Sequence, residues 1–463
     1  MALGRRRGKQ GSLWIAEKDL PRSAGHPFYV ALERVLVAGD FDRFVEDLCA
    51  EHYATRQGRP SIPPGVYFRM LFVGYFEGMT SQRGIAWRCQ DSLSIRDFLG
   101  LGATERSPDH SSMTVIRKRL PFEIFEAVFR FVLECAQEQG LVKGKTVAVD
   151  ATFLEANAAM KSIVRRDTGE SWGEYIKRLA EEEGVEDPSD DDARRLDRKR
   201  KKSVSNDEWG SKTDPESRIA KMKDGRTHLA YKAEHAVDLD TDVVVAASVY
   251  RADHSDYESA ANTLDDANEH LAAVEAEFAI EEAVMDKGYH AVDTLVACEQ
   301  RGVRTYIPER QASQRRKWKN KPAASEHAFR ANRRRVRGPR NAKLQRRRSE
   351  FVERTFAHAC ESGGGRRSHL RGLNSVGKRW LVQLAARNLG VIVRSVTGVG
   401  TPRAHQAEFG AASLLHRTLA AFIRLQSRTT ALIASLLPIA TGRCPIPEFD
   451  PLSPETYPSS TGC

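Results

Sequence analysis

No apolar stretch in this chain approaches the roughly 18 residues that a membrane helix requires. The longest, such as residues 243–249, fall far short. The amino terminus runs from Met1 into Arg5, Arg6 and Arg7 with no apolar segment behind them, so no secretory signal is expected. Cysteine is sparse: seven residues, an odd number, lie scattered through the chain without a Cys-x-x-Cys pair. That pattern argues against a disulfide framework and against a structural zinc site. Together these absences predict a soluble, cytoplasmic protein with no membrane partner.

Acidic residues are almost missing from one segment. Between Arg310 and Arg348 there are sixteen Lys or Arg and a single acid, Glu326, a local charge of +15. The whole chain carries +10, so the remainder stands at −5. A basic block this dense repels itself unless a polyanion is near, and phosphate backbones are the usual partner; a solvated loop is the plainer alternative.

The 463 residues suggest two or three units, and 41% hydrophobic content is enough for packed cores. Residues 1–24 read as a basic tail. From 25 to 140 the pattern is helical, with Pro63-Pro64 opening one helix, Thr80 or Ser81 capping the next, and Ser111 or Ser112 capping a third. That third helix carries Arg117, Lys118 and Arg119. Short capped helices with a basic last member fit a helical DNA-binding domain, and fit a packing domain equally well.

After Lys145 the period changes. Residues 146–150 form a short β-branched run ending on Asp150. A polar insertion over about 155–226 follows, then a hairpin over 228–250 turning at 238–242, a helix, a strand over 283–286 ending on Asp286, a second helix, and a fifth strand over 303–307. A second insertion over about 309–348 carries the basic block, and 349–360 reads as a helix with Val352 and Phe356 inward. Residues 401–463 read as a helical or disordered extension. The class is α/β, a mixed sheet flanked by helices behind an all-helical amino-terminal domain.

An acid at a strand's end faces a cleft or caps the next turn; Asp286 can stabilise the turn at Gly288 and Asp150 can cap through Thr152. Two such carboxylates on neighbouring strand ends repel unless a divalent cation lies between them. A third acid is sought on the helix after the basic block. Glu353, beside Val352, ranks first and Glu350 second. Lys232 and Glu234 share a strand face, where they could orient phosphate or form a cross-strand ion pair.

This order of elements and acids is that of ribonuclease-H-like nucleases. Asp150-Ala-Thr-Phe-Leu-Glu-Ala-Asn157, Tyr231-Lys-Ala-Glu-His-Ala-Val-Asp238, Asp286-Lys-Gly-Tyr-His290, Val352-Glu-Arg-Thr-Phe356 and Arg366-Arg-Ser-His-Leu-Arg-Gly372 resemble the DDE transposases of bacterial insertion sequences. Residues 58–120, with Ser107-Pro-Asp-His-Ser-Ser112, resemble the amino-terminal domain of the same proteins. The match covers roughly residues 25 to 400.

The resemblance implies a transposase that binds the terminal inverted repeats of an insertion sequence and catalyses metal-dependent cleavage and strand transfer. A nuclease without strand transfer and an inactive DNA-binding remnant are the alternatives. Asp150, Asp286 and Glu353 would be the catalytic triad on residues 141–400, holding two Mg²⁺ with Mn²⁺ as a substitute. Double-stranded DNA would be gripped by Arg117, Lys118, Arg119, Lys232, Arg333, Arg334, Arg335, Arg346, Arg347, Arg348 and Arg371. Many relatives carry a Tyr, an Arg and a Lys around the catalytic Glu; here the positions three and seven before Glu353 are Glu350 and Arg346, and seven after is Cys360. Arg354, Arg366 and Arg367 are the candidates for the phosphate-binding role of that Lys. A homodimer in the DNA complex and a nucleoid-associated location in a bacterial cytoplasm are implied as well.

Overall fold

A computed structural model describes residues 25–54, 61–102, 105–199, 204–311 and 317–407. The expected basic tail, and nearly all of the expected carboxy-terminal extension, lie outside them. Seven helices come first: α1 (Pro27–Ala38), α2 (Phe41–Cys49), α3 (Pro64–Phe76), α4 (Gln82–Asp91), α5 (Leu93–Phe98), α6 (His110–Arg119) and α7 (Phe122–Glu138). Capping chemistry sets several of their starts. Ser81 Oγ accepts from Gly84 N at the head of α4 (3.1 Å). On α6 the cap is Asp109, whose Oδ1 accepts from Ser111 N at 2.8 Å. The helix therefore begins ahead of the serines expected to cap it.

The α/β part contains β1 (Thr146–Glu155), β2 (Ile163–Arg165), α8 (Trp172–Glu182), α9 (Asp190–Lys199), β3 (Trp209–Ser211), β4 (Arg218–Lys221), β5 (Thr227–Asp238) and β6 (Val244–Arg251). It continues through α10 (Asp256–Ala273), β7 (Glu282–Val284), α11 (Val292–Gln300), β8 (Arg304–Tyr306), α12 (Ala323–Arg337), α13 (Pro339–Phe356), α14 (Leu373–Thr397) and α15 (Pro402–Ala407). The main sheet runs β4-β5-β1-β7-β8, with β6 also on β5. Strands β4, β1 and β6 pair antiparallel with β5, while β1, β7 and β8 are parallel. This is a ribonuclease-H-like mixed sheet flanked by helices. Its central strand β5 is buried on both faces, although its sequence alternates apolar and polar residues; Lys232 and Glu234 are buried inside it.

Three features depart from the sequence reading. First, β1 does not stop at Asp150; it continues to Glu155 because β5 pairs with it from Val147↔Asp238 through Glu155↔Ala230. Second, the insertion after β1 is folded. Trp209 packs at 5.0 Å from Trp172 and 5.2 Å from Tyr175, and β4 joins the main sheet. Asp214 and Glu216 from this insertion accept from Gly372 N (3.2 Å) and Leu373 N (2.8 Å), anchoring the start of α14. Third, the basic block is helical from Ala323 onward. It supplies α12 and most of α13, so the helix expected over 349–360 begins at Pro339 and passes through a π-helical turn, Ala357–Ser362.

Helix α14 joins the helical and α/β parts. Seventeen of its 25 residues are buried, packed on α7, α3 and α1 on one side and on β6 on the other. Asn388 satisfies both backbone groups of Val244, accepting from its N–H at 2.9 Å and donating to its C=O at 2.8 Å. Arg387 is buried and pairs with Asp242 in the β5–β6 turn; Asp242 also binds Arg394 (3.0 Å) and Arg354 (3.3 Å).

Removing one partner from a buried charge cluster leaves the other uncompensated. Asp242→Ala is therefore expected to cost about 3–5 kcal/mol in urea unfolding. A second test follows from His235, which is buried against Phe356 (4.2 Å) and Trp380 (6.2 Å). Burial pushes its imidazole down from 6.5 to about 3. The unfolded chain then binds a proton that the folded chain refuses, so stability present above pH 6.5 is lost as pH falls through the interval down to about 3. His235→Phe should flatten the fall in urea midpoint as pH drops from about 7 to about 5, through the free imidazole value.

Candidate active site and nucleic-acid interface

The site is built where parallel pairing ends. Strands β1 and β7 are paired through Ala148↔Val284, and Asp150 and Asp286 each follow that pair by two residues. The two carboxylates are near enough for the Asp286 charge to act on Asp150. Asp150 Oδ1 accepts from Ala151 N at 2.8 Å, and its Oδ2 accepts from Arg348 Nη1 on α13 at 2.6 Å. Burial pushes the Asp150 carboxyl up to about 6; the Arg348 charge opposes this, and the Asp286 charge adds to it. Asp286 Oδ1 accepts from Gly288 N at 2.6 Å, so the turn-stabilising role is present too. A Cβ at Gly288 would lie 2.6 Å from Asp256 Oδ2 and 2.8 Å from Asp286 Oδ1, so a larger residue there would displace these carboxylates.

Beneath this edge lies a second polar cluster. Tyr289, next to Gly288, donates to Glu234 Oε2 at 2.8 Å. Glu234 is fully buried and also accepts from Ser259 at 2.7 Å and from Thr263. Lys232, likewise buried, binds Asp256 at 2.8 Å, Ser259 at 2.9 Å and Glu234 at 3.4 Å. Lys232 thus lies in an internal ion-pair network, in place of the expected contact with DNA. That network ties α10 to the turn that carries Asp286.

The third carboxylate is placed differently from the expectation. On α13 the inward stripe is Leu344, Arg348, Val352 and Phe356; Glu353 is exposed, and Glu350 is exposed with Arg354 at 3.5 Å. Among the described residues no group of three His, Cys, Asp or Glu is arranged to hold a metal ion. Asp150 and Asp286 are hard oxygen donors that fit a divalent cation, and the Arg348 guanidinium stands as a positive charge against Asp150. Glu353 and Glu350 do not join them in this arrangement.

The expected DNA contacts divide into two sets. Lys118, Arg334, Arg346, Arg367 and Arg371 are exposed. Arg119, also exposed, lies over the Tyr53 ring at 4.7 Å. Others are engaged within the fold: Arg333 with Glu309 (2.5 Å), Arg335 with Thr305 O (2.8 Å), Arg347 with Asp240 (3.1 Å) and Arg366 with Glu361 (2.7 Å). Arg354 is held by Asp242 and Glu350. Arg117 turns inward, its Nε and Nη1 buried without a hydrogen-bond partner. Sequence reasoning missed the pairing of Arg348 with Asp150, although the four-residue spacing from Leu344 to Phe356 marks Arg348 as inward. It also missed Tyr289 as the partner of Glu234.

Comparison with known proteins agrees with this architecture. The family described as Transposase DDE domain matches residues 143–389, and the transposase domain family DUF772 matches residues 17–119. The first match spans more than half of the chain, which therefore belongs to the DDE transposases. No curated protein and no solved structure matches it. Among the described residues no helix is long and apolar enough to cross a membrane.

The two sets of arginines make different predictions for duplex binding. Arg334→Ala should weaken affinity and make the log Kd against log salt slope shallower by about 1, the effect of losing one phosphate contact. Arg335→Ala should leave that slope unchanged, because its guanidinium is spent on Thr305. Fluorescence anisotropy over a salt series reads both.

Proposed function

We propose that this chain binds the terminal inverted repeats of an insertion sequence, cuts the DNA at the element ends and joins them to a target. What supports the reading is the nearness of Asp150 and Asp286, each two residues past the last β1–β7 pair, beside an arginine-rich helix. Phosphodiester displacement needs charge neutralisation at the reacting oxygens more than a covalent nucleophile, and two aspartates at a sheet edge suit that need. When bound, Mg²⁺ or Mn²⁺ supplies Lewis acidity for the attacking and leaving oxygens. Asp150 and Asp286 would hold it, with Glu353 as the proposed third ligand and Glu350 as the alternative.

The remaining work falls to the chain's own cations. Arg348, within reach of Asp150, offers a guanidinium to a nonbridging phosphate oxygen, and Arg334, Arg346, Arg367 and Arg371 track the backbone. Glu234, Lys232 and Tyr289 hold the Asp286 turn in place. Two element ends must meet, so a homodimer in the DNA complex belongs to this proposal, as does action on the nucleoid of a bacterial cytoplasm.

The test is cleavage of labelled DNA carrying the element's terminal repeats, with Mg²⁺ or EDTA. Wild type should cut at the ends only with metal. Asp286→Ala and Asp150→Ala should each lose about 10³-fold or more, the scale on which removal of transition-state charge stabilisation acts. A pre-cleaved end separates joining from hydrolysis: release without joining favours a nuclease. Binding without cutting in any metal favours an inactive DNA-binding remnant, the reading to which the outward Glu353 lends support. Glu353→Ala and Glu350→Ala, compared side by side, identify the third carboxylate.

A further inference from the structure

A second site lies away from the aspartates, where the amino-terminal helices meet α14. It is a cavity of about 290 Å³ that includes Arg117 of α6 and both Lys378 and Arg379 of α14 in its lining. Its apolar wall includes Leu71, Phe125 and Val382. No Asp or Glu is among its lining residues.

The cations are poorly compensated. Arg117 is half-buried, and two of its three guanidinium nitrogens, Nε and Nη1, are buried with no partner, so these donors have lost water without a hydrogen bond in exchange. Lys378 donates to the backbone oxygens of Leu120 (2.7 Å) and Arg117 (3.3 Å), and Arg379 donates to that of Gly364 (2.7 Å). Neutral carbonyls satisfy these donors but do not cancel the charge. Burial lowers the proton affinity of all three, Arg379 to about 10, and the Arg117 charge lowers that of Lys378 further. Three partly or wholly buried cations without an acid on the same wall favour an anion from outside. Guanidinium and ammonium groups together suit a phosphate head, and the apolar wall suits a hydrophobic body of a few atoms.

We propose that this cavity binds a small organic phosphate, a phosphomonoester on a compact apolar body, which bridges α6 and α14. The cavity lies apart from the DNA candidates of α12 and α13, although its His369 and Leu370 neighbour Arg367 and Arg371. Binding to the folded chain alone raises its melting temperature by mass action.

The experiment is calorimetric titration and thermal melting of the full chain with phenyl phosphate and with inorganic phosphate. Wild type should bind phenyl phosphate about tenfold or more tighter than inorganic phosphate, the difference one buried apolar group makes. Arg117→Gln should weaken phenyl phosphate at least about tenfold, the loss of one charge-assisted hydrogen bond, and should itself melt no lower than wild type without ligand. Arg334→Gln, on the surface of α12, should bind phenyl phosphate as wild type does. Leu71→Trp, which fills the cavity while leaving every cation, should abolish binding and guards against misfolding of the Arg117 variant. The proposal is overturned if wild type shows no saturable binding, if the two phosphates bind alike, or if binding is lost in Arg334→Gln but kept in Arg117→Gln and Leu71→Trp.

Discussion

The whole molecule depends on a charge buried between a helix and a hairpin turn. Arg387 of α14 reaches Asp242, and the neighbouring Asn388 completes the hydrogen bonding of Val244 at the start of β6. An unpaired guanidinium there would be intolerable, so α14 has one rotational and axial position on the sheet. Its other faces then set where α7, α3 and α1 can pack. The result is one continuous core, running from Phe28 to Val393 without a break between helical and α/β parts.

The same logic governs the aspartate edge. A carboxylate on a central strand is costly, and Asp150 is held by a backbone N–H and by Arg348. Asp286 is held by the turn at Gly288, and that turn is held from below by Tyr289 on Glu234. The two aspartates are thus neither free nor loosely placed: Asp150 is held by Arg348 from α13, and Asp286 by its own turn, which Tyr289 braces through Glu234.

Much of this was legible in the sequence. The β5–β6 hairpin with its turn at 238–242 follows from an alternating arm over 228–238 and an apolar return over 243–250, and the two strand-associated acids follow from where the short apolar runs at 146–150 and 283–286 stop. The extension of β1 past Asp150 was hidden, because only pairing with β5 makes Ala151 to Glu155 a strand. Helix α12 and the first part of α13, ahead of residue 349, were hidden by their arginines. Few inward positions are apolar, among them Ala328, Phe329 and Leu344, and long stems of Arg333 and Arg335 cover the rest. The placement of Glu353 was misjudged for a geometric reason: standing beside Val352 in sequence means standing about 100° away around a helix. Arg117 was misjudged because a basic run does not reveal which member turns inward.

That α14 completes both parts has a consequence in time as well as in space. Protein synthesis proceeds at about 5–20 residues per second, so roughly ten seconds to a minute separate the emergence of β1 from that of the end of α14. Throughout that interval β6 has no Asn388 and Asp242 has no Arg387. The sheet and the amino-terminal helices must wait, partly assembled, for a single late segment. A nascent chain interrupted before Thr397 is therefore not a shorter version of this protein but an open one, with its central apolar surfaces still exposed to solvent.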